Sequence, residues 1–142
     1  MSVFLALNYK VMTHLGIFEK ATALRLLIVD HSEIVSERLK AILSEVPMVE
    51  TISQARDQQE ARESVHKLNP DVVIVDIQMP GGGGINLIHE IKKVPKPPLL
   101  IVLTNQSSPQ YRRKCMEARV DFFFDKSTEF DRVPELLKRL NY

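Results

Sequence analysis

Apolar residues in this chain come in short unbroken runs separated by helical patterns, which is the signature of strands buried on both faces alternating with helices. The clearest run is Val72-Val73-Ile74-Val75, which ends in Asp76 and passes through Ile77-Gln78-Met79-Pro80 into four glycines, Gly81 to Gly84. Leu26-Leu27-Ile28-Val29 ends in Asp30, and Leu99 to Leu103 ends in Thr104. Phe122-Phe123-Phe124 runs into Asp125-Lys126, and a weaker strand is predicted around Thr51-Ile52-Ser53. Between them the spacing predicts helices. Ile34, Val35, Leu39, Ile42 and Leu43 form the inward face of the first, with Ser32 placed to cap it and Pro47 beyond its end. Ala61, Val65 and Leu68 mark a second over about 58–68, and Ile85, Leu87, Ile88 and Ile91 a third, stopped by Pro95, Pro97 and Pro98. A fourth opens at Ser108-Pro109 and reaches about Ala118; a fifth, capped by Asp131, carries Val133, Leu136, Leu137 and Leu140 inward.

Five strands alternating with five helices, without repeats or a long linker, predict one α/β domain whose parallel sheet is covered on both faces, with right-handed crossovers. In such sheets ligands bind at the carboxyl edge. Asp30 and His31, Asp76, Thr104 and Lys126 all fall there, and carboxylates, a hydroxyl and an ammonium are suited to handling a phosphoryl group. Taken alone, Asp76 could equally be a strand-ending residue that caps the next turn. The glycines are not followed by Lys-Ser or Lys-Thr and lack G-x-G-x-x-G spacing, which argues against a nucleotide loop.

Composition narrows this picture. The 142 residues suit one domain with a real core, and nineteen basic against eighteen acidic residues give a net charge of +1, too balanced for capture of nucleic acid or an anionic membrane. Cys115 is the single cysteine, so an intrachain disulfide is excluded and a reducing, cytoplasmic setting is expected. Residues 1–23 are set apart from a domain over 24–142. They carry Val3, Phe4, Leu7, Val11, Met12, Leu15 and Phe18 at a spacing compatible with a short amphipathic helix, the alternative being a disordered leader; Asn8-Tyr9-Lys10 interrupts any signal-peptide or membrane-spanning pattern.

From about Leu24 to Tyr142 the chain resembles a bacterial two-component response-regulator receiver domain of the chemotaxis-regulator type. The residues that carry this are Ile28-Val29-Asp30, Pro70-Asp71 leading to Asp76-Ile77-Gln78-Met79-Pro80, Gly84 four places after the proline, Leu103-Thr104, and Lys126. The resemblance implies a flavodoxin-like sheet of strand order 2-1-3-4-5. It implies that Asp76 is the phosphoacceptor, attacking a phosphohistidine of a sensor kinase or phosphotransfer protein, that Thr104 and Lys126 bind the phosphoryl group, with Lys126 pairing with Asp76 in its absence, and that Phe123 is an aromatic switch position; plain core packing is the competing explanation for Phe123. It also implies a magnesium site formed by Asp30, Asp76 and the backbone of Gln78. The expected role is signalling rather than enzymatic, with a downstream protein engaged by the face of the fourth helix, fifth strand and fifth helix, and a homodimer as a further possibility. With no output domain before Tyr142, a stand-alone regulator is expected.

Two positions depart from the family pattern. Arg119-Val120 stands where a glycine normally ends the fourth helix. His31 replaces the second member of an acidic pair, so weak magnesium binding is expected. An inward, neutral His31 would suit manganese or zinc; a protonated one could partly stand in for the cation; an outward one would leave the site merely impaired. His31 also raises the alternative of a receiver-like module that works by protein contact without phosphorylation.

Overall fold

The computed structural model describes residues 23–140, so the predicted N-terminal extension lies outside the described residues except for Ala23. The elements run β1 (Leu24–Val29), α1 (Glu33–Leu43), β2 (Val49–Ala55), α2 (Gln58–Leu68), β3 (Val72–Val75), α3 (Gly84–Lys92), β4 (Leu99–Thr104), α4 (Pro109–Glu117), β5 (Phe122–Asp125) and α5 (Arg132–Arg139). The strands form one parallel sheet in the order β2-β1-β3-β4-β5, the expected one. Register is tight across the centre: Val29 pairs with Val75, Val75 with Val102, and Thr104 with Asp125. It brings the carboxyl ends of β1, β3, β4 and β5 to one edge.

Alternation along the central strands divides the core into two layers. Leu27, Val29, Val73, Val75, Leu100 and Val102 pack with Ala61 and Val65 of α2, Leu87, Ile88 and Ile91 of α3, and Cys115 of α4. Leu26, Ile28, Val72, Ile74, Ile101 and Leu103 face the other way, against Leu39 and Leu43 of α1 and Val133 and Leu137 of α5. Because both faces are covered, the central strands contain no polar alternation. Each fully buried leucine or isoleucine here contributes about 1.5–3 kcal/mol of transfer free energy. Edge strand β2 is more polar and longer than predicted, with Glu50 and Thr51 exposed.

Local chemistry sets the helix ends. Ser32 and Ser108 cap α1 and α4 as expected, accepting from the N–H groups of Val35 (3.3 Å) and Tyr111 (3.4 Å). Two expectations need correction. Ile34, predicted to face inward, is 82% exposed, because at about 100° per residue it lies about 140° around the helix from Leu39. Asp131 makes no side-chain cap: its backbone is already helical (φ −72°, ψ −12°), whereas a capping side chain needs an extended residue. Leu136 of α5 and Leu140, its C-cap, are only partly buried.

The glycine run is a structured loop. Gly81, Gly82 and Gly83 all have φ between +73° and +85°, and a Cβ on Gly84 would lie 2.3 Å from the Ile77 carbonyl oxygen. The start of α3 is therefore pressed against the loop leaving β3, which only glycine permits. At the end of α4 the different cap expected at Arg119 takes a specific form. Arg119 itself is left-handed (φ 68°), its N–H donates to the Met116 carbonyl (3.0 Å) and that of Val120 to the Cys115 carbonyl (3.1 Å). This is a Schellman closure with arginine in the glycine position.

Candidate functional site

Strand β1 delivers Asp30 and β3 delivers Asp76 to the same edge, each beginning a turn as its strand ends. The Asp30 N–H donates to the Ala55 carbonyl and that of Asp76 to the Val29 carbonyl, so both residues are anchored by their neighbouring strands. Their side chains are held alike. Asp30 Oδ1 accepts from the Ser32 N–H and Asp76 Oδ1 from the Gln78 N–H, both at 2.8 Å. The other oxygen of each meets Lys126: Nζ lies 2.7 Å from Asp30 Oδ2 and 2.5 Å from Asp76 Oδ2. Residues 96 and 50 positions apart thus share one ammonium.

Both carboxylates are 4% exposed and the lysine side chain 11%, so these are charge-assisted bonds in a largely water-excluded crevice. Burial pulls the Lys126 pKa down, but hydrogen bonds and charge from Asp30 and Asp76 outweigh it and hold it above the ordinary lysine value. Two carboxylates against one ammonium leave one negative charge uncompensated beside the bridge, which a second cation can offset.

Thr104 ends β4 fully buried, its Oγ1 accepting from the Gln106 N–H at 3.1 Å. Its carbonyl accepts from the Lys126 N–H (2.9 Å), which ties the two strand ends together. Phe123 is 6% exposed in the core layer beneath α4, while Phe122 and Phe124 stack on the opposite layer. The Arg112 guanidinium lies over the Phe123 ring, 4.5 Å from its centroid, so this aromatic is both a core residue and a contact of α4.

His31 does not join the carboxylates. It is exposed, and among the described residues no three His, Cys, Asp or Glu side chains gather as a metal-binding cluster. The inward arrangement that would favour manganese or zinc is thus not the one seen. Instead His31 lines an open groove of about 460 Å3 beside the crevice, together with Gln78, Met79, Gln106 and Tyr111.

Sequence reasoning passed over a set of polar residues on the two loops beside the crevice. Asp125 Oδ1 accepts from the N–H groups of Ser127 (2.8 Å) and Thr128 (3.1 Å), and its Oδ2 accepts from the Ser107 hydroxyl. Ser127 also meets the Asn105 side chain at 2.9 Å. The Asp-x-Ser spacing of an Asx turn was the available signal for part of this.

A family model for the response regulator receiver domain matches residues 26–138. The chain belongs to this family. Among curated proteins, an 80-residue stretch is 41% identical to the protein-glutamate methylesterase/protein-glutamine glutaminase of Rhizobium etli, covering 56% of this chain and 23% of that protein. A 121-residue stretch is 34% identical to the protein of the same name from Sulfurimonas denitrificans, covering 83% of this chain and 34% of that one. The chain thus spans about a quarter to a third of the length of these relatives. Among solved structures, the response regulator domain of Thermotoga maritima CheB superposes with a TM-score of 0.71 at 29% identity, over 83% of this chain and 93% of that one. A signal receiver domain from Colwellia psychrerythraea reaches a TM-score of 0.75 at 23% identity, over 82% and 97%, and shows the shared fold. This receiver has a flavodoxin-like sheet, and among its described residues no helix is long and apolar enough to cross a membrane.

Proposed function

We propose that this receiver accepts a phosphoryl group on Asp76 from the phosphohistidine of a sensor kinase or phosphotransfer protein, and that it acts as a signalling module rather than an enzyme. The bridge from Lys126 to Asp30 and Asp76 carries this reading, because it sets an ammonium where phosphoryl charge would accumulate. Asp76 Oδ1 is engaged by the Gln78 N–H and Oδ2 by the Lys126 ammonium, and we take Oδ2, the oxygen a mobile side chain can release, as the nucleophile. It attacks phosphorus in line, a P–O bond forms as the P–N bond to histidine breaks, and the histidine nitrogen leaves with the bonding pair. Lys126 then passes its hydrogen bond from the carboxylate to a phosphoryl oxygen, and the Thr104 hydroxyl donates to another.

The donor set also fits magnesium. Two carboxylates meeting at one point with a net charge deficit are hard oxygen ligands suited to an ion that keeps several waters. Asp30, Asp76 and the Gln78 carbonyl would hold it, and when bound it supplies positive charge to the phosphoryl oxygens. Lys126 occupies both carboxylates and His31 lies outside the set, so binding is weak. The face built by α4, β5 and α5 is the one we assign to the downstream protein, or to a second copy of the chain, since Phe123 connects the strand carrying Lys126 to Arg112 on α4.

Incubation with acetyl phosphate and magnesium, followed by intact mass measurement, tests the reading. One phosphoryl adduct is expected on the wild type and none on Asp76→Asn. A wild type that stays unmodified refutes phosphoacceptance and favours the contact-only module.

A further inference from the structure

We infer that Ser107 and Asp125 are a positioning pair: they clasp the loop after β4 to the loop after β5 and so hold Thr104 and Lys126 at a fixed separation across the crevice. This rests on the reading of Asp76 as phosphoacceptor and adds to it the device that keeps its two helpers in place.

The geometry is specific. Asp125 and Lys126 are sequence neighbours, yet the Asp125 carboxylate turns away from the crevice and spends its hydrogen-bonding capacity on its own loop and on Ser107. By accepting from the N–H groups of Ser127 and Thr128 it folds the backbone tightly just after Lys126, which fixes the direction in which the lysine leaves the strand. Its remaining oxygen takes the Ser107 hydroxyl, three residues beyond Thr104. Ser127 meeting Asn105 adds a second tie, and the Lys126 N–H to Thr104 carbonyl bond a third. The Glu129 carboxylate accepts from the Asp125 N–H at 3.0 Å, anchoring the far side of the turn. The two loops are otherwise free ends of parallel strands, with nothing in the sheet register beyond Thr104 and Asp125 to hold them together.

Hydrogen bonding from Ser107 and from the Ser127 backbone keeps the Asp125 carboxyl below the ordinary aspartate range, so the acceptor stays charged at neutral pH and the clasp is closed there. Reactive groups misplaced by a fraction of an ångström lose rate steeply. A clasp beside the site, built from residues that touch neither Asp30 nor Asp76, is therefore a means of preorganisation. Neither residue donates to or accepts from the reacting atoms, so both are positioning residues.

Ser107→Ala, Asp125→Asn, the double variant and Ser107→Thr test the pair through two measurements. In hydrogen exchange without phosphodonor, Ser107→Ala and Asp125→Asn should each speed exchange in 104–108 and 125–129 about tenfold, a lost hydrogen bond to a charged group, while the central strands stay protected. In acetyl phosphate titrations read by intact mass, the maximal rate should fall about tenfold with the half-saturating concentration unchanged. The double variant should be no slower than Asp125→Asn, since both substitutions open one contact, and Ser107→Thr should restore both readouts. Additive losses, or exchange unchanged in both loops, would overturn the pairing. Faster exchange with an unaltered phosphorylation rate would leave a structural clasp and refute the positioning role. An unmodified wild type refutes phosphoacceptance itself, and the exchange measurement alone then decides whether the clasp exists.

Discussion

Replacing Lys126 by methionine isolates the charge of the bridging ammonium, because methionine fills much of the same space with an unbranched apolar chain. The substitution leaves Asp30 and Asp76 each with its backbone N–H partner but without the shared cation. Since Nζ lies 2.7 Å from one Oδ2 and 2.5 Å from the other, the two oxygens can be no farther apart than about 5 Å. At an effective dielectric of about 20, their repulsion once the ammonium is gone is about 3 kcal/mol. Breaking a buried pair by removing one partner costs about 3–5 kcal/mol. Both carboxylates are 4% exposed, so solvent screens little of this, and the expected loss is about 3 kcal/mol at pH 7.5.

Urea unfolding measures it, as a lower midpoint at unchanged slope. The sign with pH is fixed by the raised Lys126 pKa. A lysine whose pKa rises on folding contributes fully below its unfolded value of about 10.4, and the contribution fades only as pH climbs through the higher folded value. The difference between wild type and variant should therefore be level from pH 7 to 9.5 and shrink above that. Millimolar magnesium should recover part of the loss in the variant and do less for the wild type, since the oxygens it seeks are free only in the variant. A difference under about 1 kcal/mol at pH 7.5, or one that disappears between pH 7 and 9.5, would refute the view of Lys126 as the charge that holds the crevice together.

His31→Asp adds a third carboxylate beside Asp30 and should tighten magnesium at least about tenfold and speed phosphorylation of Asp76, read by titration at neutral pH and by intact mass; equal magnesium affinities would remove the reason for assigning His31 a functional effect. Arg119→Gly relieves a left-handed arginine and should stabilise the fold by about 1 kcal/mol in urea unfolding, with no change expected if the Schellman closure is not formed in solution. Gly84→Ala should destabilise by about 2 kcal/mol or more, because its Cβ would meet the Ile77 backbone at 2.3 Å, and a neutral result would mean that the loop leaving β3 gives way easily.

Strands β1, β3 and β4 were legible because both faces of each are buried, so that identity and position say the same thing along the whole run. The caps at Ser32 and Ser108 were legible for a similar reason: one side chain and an N–H three residues on decide them. Ile34 misled because an aliphatic residue was assigned to the inward face by type, although its angle from Leu39 places it outside. Asp131 misled because capping depends on a backbone conformation that residue type does not fix. The orientation of His31 was equally open, since its neighbours along the chain say nothing about whether it turns inward to the carboxylates or outward to the groove.

At the crevice the limit was of another kind. Asp30, Asp76, Thr104 and Lys126 could be placed on one edge by counting strands, because a parallel sheet brings every carboxyl end to the same side. Which of them touch could not be counted: the resemblance implied the contact of Lys126 with Asp76, but not that the same ammonium also holds Asp30. Lys126 lies one residue past the end of its strand and Thr104 is the last residue of its own, so their reach depends on how the two loops turn, and those turns are set by Asp125 and Ser107. The Asp-x-Ser spacing hints at the Asx turn of Asp125, but nothing along the chain points from it to Ser107, a serine two positions before an apolar-poor helix that reads as ordinary punctuation. The hydrogen bond that joins them spans 18 positions, and it exists only because β4 and β5 are neighbours in register. Chemistry-bearing residues that end strands are thus readable from sequence, while the residues that aim them are readable only once topology has set two loops side by side.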